Sequence, residues 1–162
     1  MSSIPGGKWL VAGVAALCVG GAATTWWLLR DDSAPYALSS APTVEVTVRP
    51  VKSSYPDARR VAREASLLIK VYVQRLGSGD PADLSRIGAP WYADRELAAR
   101  KLISKYGRSA GTPVEAIVSD PVVPDLAAVD LRFGDGQRQR VDLTRDDGVW
   151  WLALGEGDPM KS

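Results

Sequence analysis

An α+β fold, with helices on one face of an antiparallel sheet and one transmembrane helix ahead of them, follows from three features of this 162-residue sequence. Apolar residues recur every three or four positions as far as Tyr106, and then change to a period of two. Gly- and Asp-rich turns punctuate only the second half. Near the N-terminus, 21 consecutive residues carry no charge.

That uncharged run is Trp9–Leu29, bounded by Lys8 and by Arg30, Asp31 and Asp32. At 1.5 Å per residue it reaches roughly 30 Å, the thickness of a bilayer's hydrocarbon core. Trp9 at one end and Trp26 with Trp27 at the other suit the two headgroup levels. A cleaved signal peptide with Gly21 and Ala23 at its cleavage site is the rival reading, but its apolar core would be shorter. Leu17 ahead of Cys18 disfavours a lipoprotein. Residues 1–8 are expected as a cytoplasmic tail, since Lys8 and the α-amino group favour the inner side. The C-terminal domain is then expected to be extracytoplasmic, on a cell membrane. Ala12, Ala16, Gly20 and Thr24 form a row of small residues at spacing four, which suits close pairing of helices in lipid.

Residues 30–54 are rich in Ser and Pro and read as a linker. Within it, residues 43–49 alternate Val44, Val46 and Val48 with Glu45, Thr47 and Arg49. This pattern fits an edge strand, of this domain or of a partner's sheet, or else extended linker. The extracytoplasmic domain is expected over 55–157, followed by a tail at 158–162. Ser54, Pro56 and Asp57 form a helix start, and Ala58, Val61, Ala62, Ala65, Leu68, Ile69, Tyr72 and Leu76 continue one apolar stripe to a stop at Gly77–Gly79. Asp80 and Pro81 open a short second helix through about Ile87. Ala99, Leu102, Ile103 and Tyr106 mark a third over 94–106, closed by Gly107.

Four strands are expected at 114–119, 126–133, 138–144 and 149–154. Ala127, Val129, Leu131 and Phe133 oppose Asp130 and Arg132, giving the second of these one wet face. Gly134–Gly136 and Asp146–Gly148 supply hairpin turns. Trp150 shares a strand face with Leu152 and Leu154 and is assigned inward, which puts Trp151 on the opposite face.

The long N-terminal helix, the Asp80–Pro81 helix, and a final strand entered through Asp147, Gly148, Val149, Trp150 and Trp151 resemble the nuclear-transport-factor-2-like cone fold over about residues 55–156. With its anchor, the chain is similar to extracytoplasmic cone-fold proteins of actinobacteria and to the scaffold subunit of type IV secretion and conjugation systems. The resemblance implies a curved, cone-like sheet and a role in assembly. Enzymes of this fold pair a pocket acid or histidine with a tyrosine, for which Asp130 and Tyr72 are the counterparts here. Asp130, however, is expected outside and Tyr72 in the core stripe.

The chain has 20 basic and 19 acidic residues and no histidine, so neither a nucleic-acid binder nor an imidazole-based site is expected. Its single cysteine permits no internal disulfide. Basic residues gather in the first half, with Arg59, Arg60, Arg63 and Lys70 on the first helix and Arg95, Arg100, Lys101, Lys105 and Arg108 on the third. They suit anionic headgroups, an acidic partner or plain solvation. The expectation is a membrane-anchored, non-enzymatic scaffold of the envelope with no cofactor and no metal. Its partners would be the bilayer and other envelope proteins, or itself, met through Trp91, Tyr92, Trp151, Val44, Val46 and Val48, with plugging of the cone's mouth as the equal alternative for Trp91 and Tyr92. The alternative is a carrier or sensor whose cone holds a lipid or small apolar ligand. A cone filled by its own side chains favours the scaffold, and an open apolar cavity the carrier.

Overall fold

The computed structural model describes residues 35–52, 57–119, 121 and 123–157. The expected membrane span, with Ala12, Ala16, Gly20 and Thr24, lies outside the described residues, as do Ser54 and Pro56. Among the described residues no helix is long and apolar enough to cross a membrane.

Strand β1 (Val46–Pro50) is followed by helices α1 (Asp57–Glu64), α2 (Ser66–Ser78), α3 (Pro81–Ser85) and α4 (Arg95–Tyr106), and then by strands β2 (Val114–Val118), β3 (Leu126–Phe133), β4 (Arg138–Asp146) and β5 (Val149–Leu152). The five strands form one curled sheet in sequence order. The fold is α+β, with the helices on the concave side. Pairing is antiparallel throughout β2–β5, but β1 runs parallel to β2, with Val46 beside Val114. The sequence reading expected an antiparallel sheet. A parallel neighbour requires a long crossover, and the four helices between β1 and β2 provide it.

The single long first helix of the sequence reading is two helices, α1 and α2, with a turn at Ala65. Ala65 N–H still donates to Val61 O and Ala65 O accepts from Ile69 N–H, so the chain continues in nearly one direction. Helix α2 is buried almost all round, from Leu68, Ile69, Tyr72 and Leu76 to Val71 and Val73. A helix without a polar face must be covered on both sides. The sheet covers one side. On another, Ser39 N–H donates to Gln74 Oε1 and Gln74 Nε2 donates to Ser40 O, which lays residues 38–40 across the helix.

Asp80 caps α3, its Oδ1 accepting from Ala82 N–H at 2.9 Å and Asp83 N–H at 3.2 Å, with Pro81 in the first turn. The β4–β5 turn needs two left-handed residues and has Asp147 (φ 48°) and Gly148 (φ 80°). Inward positions alternate along the strands as the period demands: Val114, Ala116 and Val118; Ala127, Val129, Leu131 and Phe133; Val141 and Leu143; Trp150 and Leu152.

Candidate interaction surface

Among the described residues, the interior of the curled sheet is filled by side chains. Tyr72 from α2 and Gln139 from β4 meet inside it, the phenol O–H donating to Gln139 Oε1 at 2.9 Å, and Gln139 Nε2 lies 2.6 Å from the Tyr72 hydroxyl oxygen. Burial pushes the Tyr72 phenol far above its ordinary value, so it is a neutral structural group. Between Leu68, Ile69, Tyr72, Val129, Leu131, Val141, Leu143 and Leu152 the remaining void is ≈ 10 Å³, about enough for one water and too small for a ligand. Asp130 is on the convex face, half-buried, across the sheet from Tyr72. The carboxylate and the phenol therefore do not meet.

One rim of the concave face carries a mixed cluster. Trp150 is 2% exposed, yet its Nε1–H reaches Glu64 Oε2 at 3.1 Å. The same oxygen lies 3.5 Å from Arg60 Nη1 and 3.7 Å from Arg145 Nη2, and the Arg145 guanidinium sits 5.7 Å from the centre of the indole ring. A buried indole N–H requires an acceptor, and Glu64 at the end of α1 supplies it. Two arginines then balance the carboxylate. Glu64 and Arg145 were not singled out in the sequence, where each looks like an ordinary surface charge.

The two edges of the sheet differ. In β5, Ala153 N–H donates to Asp142 O, so the odd-numbered residues face β4 and the even-numbered ones face outward. Both outward groups of Leu152 and the outward carbonyl of Trp150 are taken. Leu152 N–H donates to Ile87 O, Leu152 O accepts from Ala89 N–H, and Trp150 O accepts from the Tyr36 hydroxyl at 2.7 Å. Tyr36 is 6% exposed, and its ring stands edge-on to Trp151 with centroids 6.1 Å apart. Residues 35–41, expected as free linker, are thus a strap that seals the β5 edge and crosses α2. Tyr36 and Leu38 were the signal, two large apolar residues in a Ser- and Pro-rich stretch.

On β1 the parity is the same. Glu45 O accepts from Val114 N–H and Val51 N–H donates to Val118 O, so odd-numbered residues face β2. The backbone groups of Val46 and Val48 face away from the sheet, and no described segment pairs with them. Pro50 has the same parity and carries no N–H to leave unpaired, as befits an edge strand. The convex face of this edge is charged: Arg49 pairs with Glu115 at 2.6 Å, and Glu115 lies 3.6 Å from Arg132.

The expected contact residues fall in three places. Val46 and Val48 pack against the core, with Val44 half-buried just ahead of them, so this segment offers its backbone to a partner and keeps these side chains inside. Trp151 is half-buried beneath Tyr36. Trp91 is half-buried and Tyr92 buried, their rings 6.3 Å apart, and neither lines the interior void. Tyr92 packs against the backbone of Gly157, where a side chain would collide with its ring. Of the basic residues, Arg59, Arg63, Arg100, Lys101, Lys105 and Arg108 are exposed, Arg60, Lys70 and Arg95 half-buried. Leu97 on α4 is 53% exposed, the most exposed large apolar side chain among the described residues. No protein-family model, curated protein or solved structure matches this chain.

Proposed function

We propose that this chain is a membrane-anchored, non-enzymatic interaction protein of the bacterial envelope, its cone-like domain outside the membrane and held there by residues 9–29. The observation that carries the reading is the filled interior. A carrier of a lipid or apolar molecule needs a cavity of hundreds of Å³, and the concave face here is occupied by Tyr72, Gln139 and the aliphatic core around a void of ≈ 10 Å³. What this domain offers a partner lies on its surface: one open sheet edge, a charged convex face and an exposed Leu97. The cone fold of the nuclear-transport-factor-2-like proteins and a place in a secretion- or conjugation-type assembly belong to the same proposal.

The test is crosslinking in intact cells with a membrane-impermeant reagent, at native expression, with capture of the full chain and mass spectrometry of what it carries. Recovery of crosslinked envelope proteins or of a self-complex is expected. Recovery of monomer alone, together with a lipid that co-purifies in stoichiometric amount, would replace the scaffold with the carrier.

A further inference from the structure

The open edge of β1 has the charge pattern and the symmetry to accept one particular strand. We propose that it pairs with β1 of a second copy of this chain, antiparallel about a two-fold axis through Thr47, joining two five-stranded sheets into one. This rests on the interaction-protein reading and names a partner for it.

The register follows from parity and charge. Outward backbone groups belong to Val46 and Val48, so a two-fold pair must place even-numbered residues opposite even-numbered ones in hydrogen-bonded pairs. Centring on Thr47 sets Val46 against Val48 of the other copy, and each such pair exchanges two N–H to O=C bonds. The neighbouring pairs without hydrogen bonds are then Thr47 with Thr47, and Glu45 with Arg49 in both directions. Opposite charges meet twice across the seam. Centring on Val46 instead would place Glu45 opposite Thr47 and bring no acid of the other copy to Arg49, which would keep only Glu115 of its own chain. On the concave side the register sets two β-branched residues in contact, a favourable cross-strand pair.

The rest of the sheet makes this pair closed. β5 is covered by Tyr36 and by Ile87–Ala89, so among the described residues β1 is the edge left for a ladder to form on. Pro50 withholds a donor beyond Val48 and confines the ladder to the central residues. An isologous contact that uses each copy's one open edge gives a dimer and no fibre. So short a ladder is weak by itself. Anchoring both copies in one membrane raises their effective concentration, which is how a weak contact becomes occupied.

The test uses the full chain in membranes, with Cys18→Ala and one new cysteine. Facing residues of a pair without hydrogen bonds have Cα atoms about 4.5 Å apart, within disulfide reach. Thr47→Cys should therefore oxidise to a dimer at twice the 17.4 kDa of the chain. Glu45→Cys or Arg49→Cys alone should not, because like residues are then offset by four positions, about 14 Å along the strand. Co-expressed, those two variants should crosslink to each other. Thr47 is exposed, so its substitution spares the fold. Absence of the Thr47 dimer overturns the proposal, as does equal crosslinking of all three single variants, which would mean collision without register. If those results accompany crosslinks to other envelope proteins, the self-pair fails and the wider function stands. If the chain is monomeric by every reagent, both fail.

Discussion

Tyr36→Phe isolates one contact of the strap. The hydroxyl bonds to Trp150 O at 2.7 Å in a buried position, and removing it leaves that carbonyl without this partner. A net hydrogen bond contributes about 0.5–1.5 kcal/mol, and an orphaned buried acceptor costs about 1–3. The expected loss is therefore about 1–2 kcal/mol. Tyr36→Ala also removes a ring that is 6% exposed and edge-on to Trp151, and should cost about 3–5 kcal/mol, the range for buried aromatic truncations. Against a total of roughly 5–15 kcal/mol, the second variant is close to unfolding. Urea titration of a soluble fragment from Asp31 onward, followed by tryptophan fluorescence, measures both. The midpoints should fall in the order wild type, Phe, Ala, with an unchanged slope. Two variants within about 0.3 kcal/mol of wild type, inside the scatter for surface substitutions, would refute the strap and return residues 35–41 to a tether.

Other expectations concern the core and its buried phenol. Trp150→Ala should destabilise the domain by about 3–5 kcal/mol, and half-buried Trp151→Ala by about 1–2, measured by the same titration; the reverse order would mean that the facing of β5 is wrong. Tyr72 holds its proton in the folded state above the ordinary phenol value of 10.0, whereas the unfolded chain releases it, so stability is full below about pH 10 and falls as pH rises beyond it. Tyr72→Phe should remove up to one proton's worth of that slope, about 1.4 kcal/mol per pH unit, and an alkaline melt with unaltered slope would contradict the burial of the phenol. Gly155 has φ 102° and lies so close to the Ala93 carbonyl that a Cβ would overlap its oxygen. Gly155→Ala should therefore lower the melting temperature by several degrees in calorimetry, and a neutral result would contradict the close approach of Gly155 to Ala93.

What the sequence made legible was local. Asp80 with Pro81, the Asp147–Gly148 turn and the alternation in β3 each encode their structure in adjacent residues, and each forms where the pattern puts it. Trp150 faced inward for the same reason, because period two leaves a strand only two faces. The features that were not legible depend on partners distant in the chain. Nothing near Val46 announces a parallel neighbour more than sixty residues later. The turn at Ala65 interrupts an apolar stripe that is continuous in sequence. Glu64 became a tryptophan's acceptor only when β5 arrived beside α1. One long-range contact does leave a local trace: Gln139 occupies an inward position in line with Val141 and Leu143, and a polar residue there implies a buried partner, which is Tyr72.

The sealing of the β5 edge has a consequence for how the chain is made. Both segments that cover β5 are synthesised long before it, and the bond from Tyr36 to Trp150 spans 114 residues. As the chain emerges from its N-terminus, Tyr36 and Ile87–Ala89 wait for a strand that comes almost last. Contacts of such separation carry a large loop-closure cost before any gain is returned, which slows folding. Until β5 arrives, the nascent domain exposes the partners of Leu152 together with the apolar flank of α2, the kind of surface that engages chaperones. A stop codon just before Val149 would leave that intermediate permanent, so the chain truncated there should be degraded in the cell, not merely weakened.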